Sequence, residues 1–240
     1  MLSEYIRRWQ LNRAFDKRRV VSCAPYSLSL YHSVIKQVKR QGLPIERLDV
    51  SDAVGKTSRV FFRHDIDYAG CVTGAAAMLE LNLNENIPIA VFLRVDGEAY
   101  APEDAAALVE TYRAKGVLFG LHTSCYVYED YLGALERERL AFLKAYGFEP
   151  KTFTVHGLGE LHLARRLAFT SYAAKNLKAL GFDYSDCTAD LRPYHRVFQD
   201  CDRDPLTGER AVFSDMTKLP PLLRRGCNYL ILTHPTYWVA

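Results

Sequence analysis

No CxxC pair and no tight framework joins the six cysteines, at 23, 71, 125, 187, 201 and 227, so reduced core or surface thiols are expected. Gly157 and Gly159 do not complete a GxGxxG turn, and no P-loop is present, so a nucleotide cofactor is not expected either. Charge of one sign is scarce: the formal net charge is +3 and the basic residues are scattered, which argues against nucleic acid as a partner. No run approaches the ~18 apolar residues of a membrane span. The opening MLSEYIRRWQLNRAF has no apolar stretch of signal-peptide length, and the expectation is a cytoplasmic protein. Low-complexity segments, internal repeats and Gly/Ser linkers are also missing, so no second domain is drawn.

What the chain does have is apolar side chain in quantity, 49% over 240 residues, enough for one sizeable core. Residues 1–55 read as an N-terminal helical extension. There SLSLYHSVIKQVKRQG carries Leu28, Leu30, Tyr31, Val34, Ile35 and Val38 at helical spacing until Gly42 stops it. From 56 to 240 a β then α rhythm takes over, as one structural unit. Short β-rich runs end at Arg63, Val95, Leu121, Val155, Tyr184, Met216 and Thr233. Between them lie amphipathic segments such as APEDAAALVETYRAKG, YLGALERERLAFLKAYG and SYAAKNLKALG. Repeated β-α units demand a parallel sheet, and about seven of them can close into a barrel. The expected fold is therefore α/β, a distorted (β/α)7 barrel with a helical extension.

In such barrels the loops after the strands converge, so ligand chemistry collects at the carboxyl ends of the strands. VFFRHDID places His64, Asp65 and Asp67 there, VLFGLHTSC places His122, TFTVHG places His156, VFSDM places Asp215 and YLILTHP places His234. Four of the seven histidines fall at expected strand ends, a clustering that favours a metal or acid–base site over scattered core histidines. A divalent metal such as zinc takes imidazole nitrogens and carboxylate oxygens, and a catalytic site holds it with three protein ligands. Asp65 and Asp67 stand two apart, so on an extended chain both point the same way.

These residues resemble the polysaccharide deacetylase family, the NodB-homology or carbohydrate esterase family four group, from about Arg59 to the C-terminus. FFRHDIDY looks like its first motif in a His-Asp-x-Asp form, GLHTSCY like the start of its His-Ser/Thr-x-x-His motif, and LILTHP like its last. The resemblance implies a metal-dependent N-deacetylase acting on an N-acetylated sugar or a surface-polysaccharide precursor, with Asp65 as base, Asp67 as metal ligand and His234 as general acid. Asp215 would orient His234, and His64 would support the aspartates. Two departures stand out. Tyr126 occupies the position of the motif's second histidine, so His156 is the expected third ligand and the metal set is Asp67, His122 and His156. The family's Arg-x-Pro-Tyr motif is missing at its expected place; LRPYHR at 191–196 comes late with different spacing, and either Arg63 or Arg94 would steady the base instead.

The expected cofactor is a divalent metal, zinc by the donor set, and the expected partner a small-molecule or lipid- or nucleotide-linked sugar. Tyr68, Tyr126 and Tyr128 border the same loops, as sugar platform or as core. Two other readings stay open: hydrolysis of a different amide or C–N bond on the same barrel, and a non-catalytic binder of carbohydrate or of a protein partner.

Overall fold

A computed structural model describes residues 26–48, 58–157, 162–186, 196–200 and 227–239. Strand β1 (Tyr26–Ser27) leads into helix α1 (Leu28–Arg40), and β2 (Ile45–Glu46) follows. Then come β3 (Val60–Ile66), α2 (Ala69–Asn84), β4 (Ile89–Leu93), α3 (Ala106–Ala114), β5 (Leu118–Thr123), α4 (Tyr131–Tyr146), β6 (Thr152–Val155), α5 (Leu163–Asn176) and β7 (Tyr184–Ser185). The described chain ends with β8 (Arg196–Gln199), β9 (Tyr229–Thr233) and β10 (Trp238–Val239).

The helices begin and end for local reasons. Ser27 caps α1 by accepting from Leu30 N–H at 3.2 Å, and Gly42, at φ 66°, lets the chain turn away behind it. Asp130 caps α4 through Gly133 N–H at 2.9 Å, and Gly147 ends that helix in the left-handed region. Tyr31, Val34, Ile35 and Val38 bury one face of α1, at the spacing the sequence shows.

All strand pairs are parallel, and the main sheet runs β7-β6-β5-β4-β3-β9-β8, with β2 added beside the start of β3. The sheet curls into a distorted, open half-barrel interleaved with helices, the (β/α)7-type fold expected. A second, two-stranded sheet joins β1 to β10, so the N-terminal segment holds the C-terminal one.

Two apolar clusters divide the core by the period-2 alternation of the strands. Val60, Phe62 and Ile66 of β3 join the helix-facing cluster. Phe61 joins the inner one, with Leu48, Ala90, Phe92, Tyr184, Leu230 and Leu232. Continuing each inner file by twos towards the carboxyl ends gives Arg63 and Asp65 on β3 and Asp67 just after it, Arg94 after β4, His122 on β5, Thr154 and His156 from β6, Asp186 after β7 and His234 after β9. The oily floor of the barrel and its polar mouth are thus the same side-chain rows. Gly120 lies in the β5 row because a Cβ there would stand 2.6 Å from the Phe92 ring and 2.4 Å from Thr152 Oγ1. That close approach lets Phe92 fill the barrel axis beneath the site.

Candidate metal centre

Asp67 follows β3, and three imidazoles from three other strands converge on its carboxylate. His122 Nε2 is 3.2 Å from Asp67 Oδ1, His156 Nε2 is 3.5 Å from Oδ2, and His234 Nε2 is 3.3 Å from Oδ2. All four residues are buried. Ligands bound 2.0–2.1 Å from a tetrahedral zinc stand about 3.3 Å from one another, so these separations match the edges of a coordination shell. Asp67, His122 and His156 present ligand atoms within 4.8 Å of one another. Asp67 Oδ1 is buried without a hydrogen bond of normal geometry, although an imidazole nitrogen lies beside it; a cation would satisfy both.

The other ring nitrogens are held. His122 Nδ1 is 2.7 Å from Thr154 Oγ1, and a His122 that ligates through Nε2 donates its Nδ1–H to that hydroxyl. His156 Nδ1 lies 3.5 Å from Ser124 Oγ. Tyr126, fully buried, donates its hydroxyl to the His156 backbone carbonyl at 2.8 Å. Tyr126 therefore anchors the loop that brings His156 in. Tyr68 and Tyr128 are exposed at the same loops.

Asp65, one step down the β3 row, has its Oδ2 3.6 Å from His122 Nε2. Arg63 grips it with two bonds, Nε to Oδ1 at 2.6 Å and Nη2 to Oδ2 at 2.5 Å, and reaches Asp186 Oδ2 with Nη1 at 2.6 Å. Of the two arginines left open by the sequence, Arg63 is the one bonded to Asp65. Arg94 instead binds Asp96 through Nε and Nη2, at 3.0 and 2.6 Å. Burial opposes ionisation of Asp65, but the charges of Arg63 and His122 and the Arg63 bonds outweigh it and hold the carboxyl below its usual range. Burial likewise opposes ionisation of Asp67, and the imidazoles around it, His122 foremost, hold it low.

His64 does not join this group. Its ring faces the helix layer, with Nδ1 2.6 Å from Thr233 Oγ1 and Nε2 3.3 Å from Asn82 Oδ1. Burial pushes it down to about 4, so it is a neutral structural histidine, and the supporting role expected for it beside the aspartates is corrected. The alternation that turns Asp65 and Asp67 inward turns His64 outward.

Asp215 and Met216, the strand end at 216, and LRPYHR up to His195 lie outside the described residues. The carboxylate that holds His234 here is Asp200, just past β8. Asp200 Oδ1 accepts His234 Nδ1–H at 2.6 Å, and Oδ2 accepts the His234 backbone N–H at 2.7 Å and the Trp238 indole N–H at 2.7 Å. Asp200 and Asp186 were not singled out from sequence, although each directly follows a strand. The rule that found the histidines extends to both, once the short runs RVFQ and YS are read as strands.

One further buried carboxyl sits below the β5 end. Glu138 of α4 has neither oxygen in a hydrogen bond of normal geometry, and burial, helped by the Asp96 charge, pushes it up to about 7 against the opposing influence of Thr123, Ser124 and Arg94. A carboxyl whose folded pKa exceeds its unfolded value adds stability below the unfolded pKa, and that stability is lost as pH rises through about 7. Glu138→Gln removes the titration. Urea melts should show the variant gaining on the wild type by about 3 kcal/mol between pH 4 and pH 8; parallel stability–pH curves would refute the assignment.

Fold and site together define the class: a distorted (β/α) barrel whose mouth carries a buried Asp-His-His cluster of the kind used in metal-dependent hydrolysis. Compared with protein-family models and with curated proteins, the chain matches none. Among the described residues no helix is long and apolar enough to cross a membrane.

Proposed function

We propose that the chain is a metal-dependent N-deacetylase of an N-acetylated sugar or surface-polysaccharide precursor, built as a polysaccharide deacetylase-like barrel at 56–240 with an extension at 1–55. The observation that carries this reading is the convergence on Asp67: two imidazoles complete a metal set with it, while a second carboxylate and a third imidazole stand beside that set, each already held by its own partner. A structural metal site has no use for a spare acid and a spare base; a hydrolytic one needs both.

In this reading Asp67, His122 and His156 hold the ion. A divalent ion so held supplies Lewis-acid polarisation of the scissile carbonyl and lowers the pKa of water. Asp65, kept ionised and fixed in plane by Arg63, takes the proton from the attacking water. His234 delivers a proton from Nε2 to the leaving nitrogen, and Asp200 at Nδ1 fixes the tautomer and offsets the charge of the imidazolium. A backbone N–H near the mouth helps bind the oxyanion. Zinc fits the donor set of one carboxylate and two imidazoles. A cytoplasmic setting favours a lipid- or nucleotide-linked sugar over a finished polymer.

The test is acetate release from a panel of N-acetylated sugars, sugar nucleotides and chitooligosaccharides by the zinc-loaded chain, with His122→Ala as control. Acetate from the wild type alone is the expected result. If the wild type binds zinc yet releases acetate from none, the scissile bond is another amide or C–N bond. If the wild type and His122→Ala bind equally little metal, the hydrolase reading falls.

A further inference from the structure

The N-terminal extension touches the proposed general acid through a short relay. Tyr26 of β1 stacks on the Trp238 indole, with ring centroids 4.5 Å apart and planes at 22°, and Tyr31 of α1 meets the same indole edge-on at 5.3 Å. The β1–β10 ladder pairs Tyr26 with Trp238 in register. Trp238, itself buried, spends its one side-chain hydrogen-bond donor on Asp200 Oδ2. Asp200, 1% exposed, accepts from both the ring and the backbone of His234.

The direction in which the His234 imidazole points is set by Asp200, and Asp200 is set by the indole. A carboxylate rotates about its last bond over a broad range. Two donors from one residue leave that rotation coupled to the residue's own motion. The third donor, from Trp238, comes from outside that pair and locks the plane. Trp238 in turn lies in the two-residue strand β10, where the rings of Tyr26 and Tyr31 flank its indole. Glycines on α2 complete the seat: a Cβ at Gly74 would stand 2.7 Å from the Pro235 carbonyl oxygen, so the 235–237 turn packs against helix backbone.

We propose that Trp238 is a positioning residue for His234, and that Tyr26 and Tyr31 serve the site by holding that indole in place. The extension is then a working part of the catalytic apparatus, acting through Trp238 and Asp200 without touching substrate. This rests on the hydrolase reading only for the role given to His234; the hydrogen-bond relay itself is tested separately.

The experiment uses the full chain, zinc-loaded and labelled with 15N at histidine. The His234 Nδ1–H resonance, identified by its loss in His234→Gln, reports the bond to Asp200. Trp238→Phe keeps an aromatic ring but removes the donor, and Tyr26→Leu keeps bulk but removes the stack. The expected result is a broadened, shifted or lost resonance in both, strongest in Trp238→Phe, while zinc affinity stays at the wild-type value. In the acetate assay kcat falls by about tenfold or more with KM unchanged, the scale of losing an outer hydrogen-bond partner. Should Trp238→Phe not fold, Tyr26→Leu decides alone. A resonance unmoved in the folded variants overturns the inference, whereas a wild type that binds no zinc and shows the same resonance loss in the variants overturns the hydrolase reading and leaves the relay standing.

Discussion

Asp67→Asn is expected to empty the site. Bound zinc, read by plasma emission after repletion and desalting, should drop from about one equivalent to under about a tenth, because loss of a ligand must exceed the 10–100-fold cost of losing a partner one shell further out. The side chain is isosteric, so the fold should persist and circular dichroism should be unchanged. The effect is large because, among the described residues, Asp67 is the one on which all three imidazoles converge, at 3.2, 3.5 and 3.3 Å. Asparagine keeps one carbonyl oxygen but brings an NH2 group, which repels a cation and cannot bond to imidazole nitrogens whose lone pairs face an ion. His32→Ala is the control: that ring binds Glu85 at 2.7 Å on the helix surface, and its loss should leave zinc binding intact. Equal zinc in wild type and Asp67→Asn would show that any ion sits elsewhere.

Arg63→Met should cost the most stability of any single change at the barrel mouth. The guanidinium makes three bonds to two buried carboxylates and lies over the Phe92 ring, 5.1 Å from its centroid. Truncating one partner of a buried ion pair leaves an uncompensated charge, at a cost of about 3–5 kcal/mol, and here two carboxylates lose their partner. The pH dependence carries a sign. In the wild type Asp65 titrates below its usual value, so its contribution is present above the unfolded pKa near 3.8 and is lost as pH falls through the lower folded one. Without Arg63, burial and the Asp67 charge push Asp65 upward, and the penalty grows as pH rises. Urea melts at pH 5 and 7.5 should therefore show a larger deficit at the higher pH. A deficit that is equal at both, or smaller at 7.5, would mean that Asp65 is not held by Arg63.

The barrel, and the gathering of polar residues at its mouth, were readable because both follow from periodicity. A buried parallel strand shows as an apolar run, the residue after it lies at the mouth, and alternate residues share a face. That rule put His122, His156 and Asp67 at strand ends along with His64, Asp65, Asp215 and His234, and the resemblance picked the three out as a ligand set. The rule misplaced His64, since adjacency in sequence was taken for adjacency in space, while a strand sends neighbours to opposite faces. Asp200 escaped because β8 is four residues long and wedged between polar stretches, too short for its alternation to register. Tyr126 was legible as a departure from the motif the sequence resembles, but what its side chain does was not. That a phenol would reach across to the His156 carbonyl depends on how two loops meet, which no local pattern encodes.

The shared rows of side chain, oily below and charged above, make the site one-sided. Phe61, Phe92, Leu230 and Leu232 pack beneath Arg63 and Asp65, so the side chains under the carboxylates are apolar ones that do little to spread their field. The low-polarizability floor concentrates that field toward the open end, and a cation is drawn in along a single axis. Entry and exit then use the same door. A chelator that strips an ion held there would approach from above and share it with Asp67 before the imidazoles let go, which makes retention a matter of kinetics as much as of affinity.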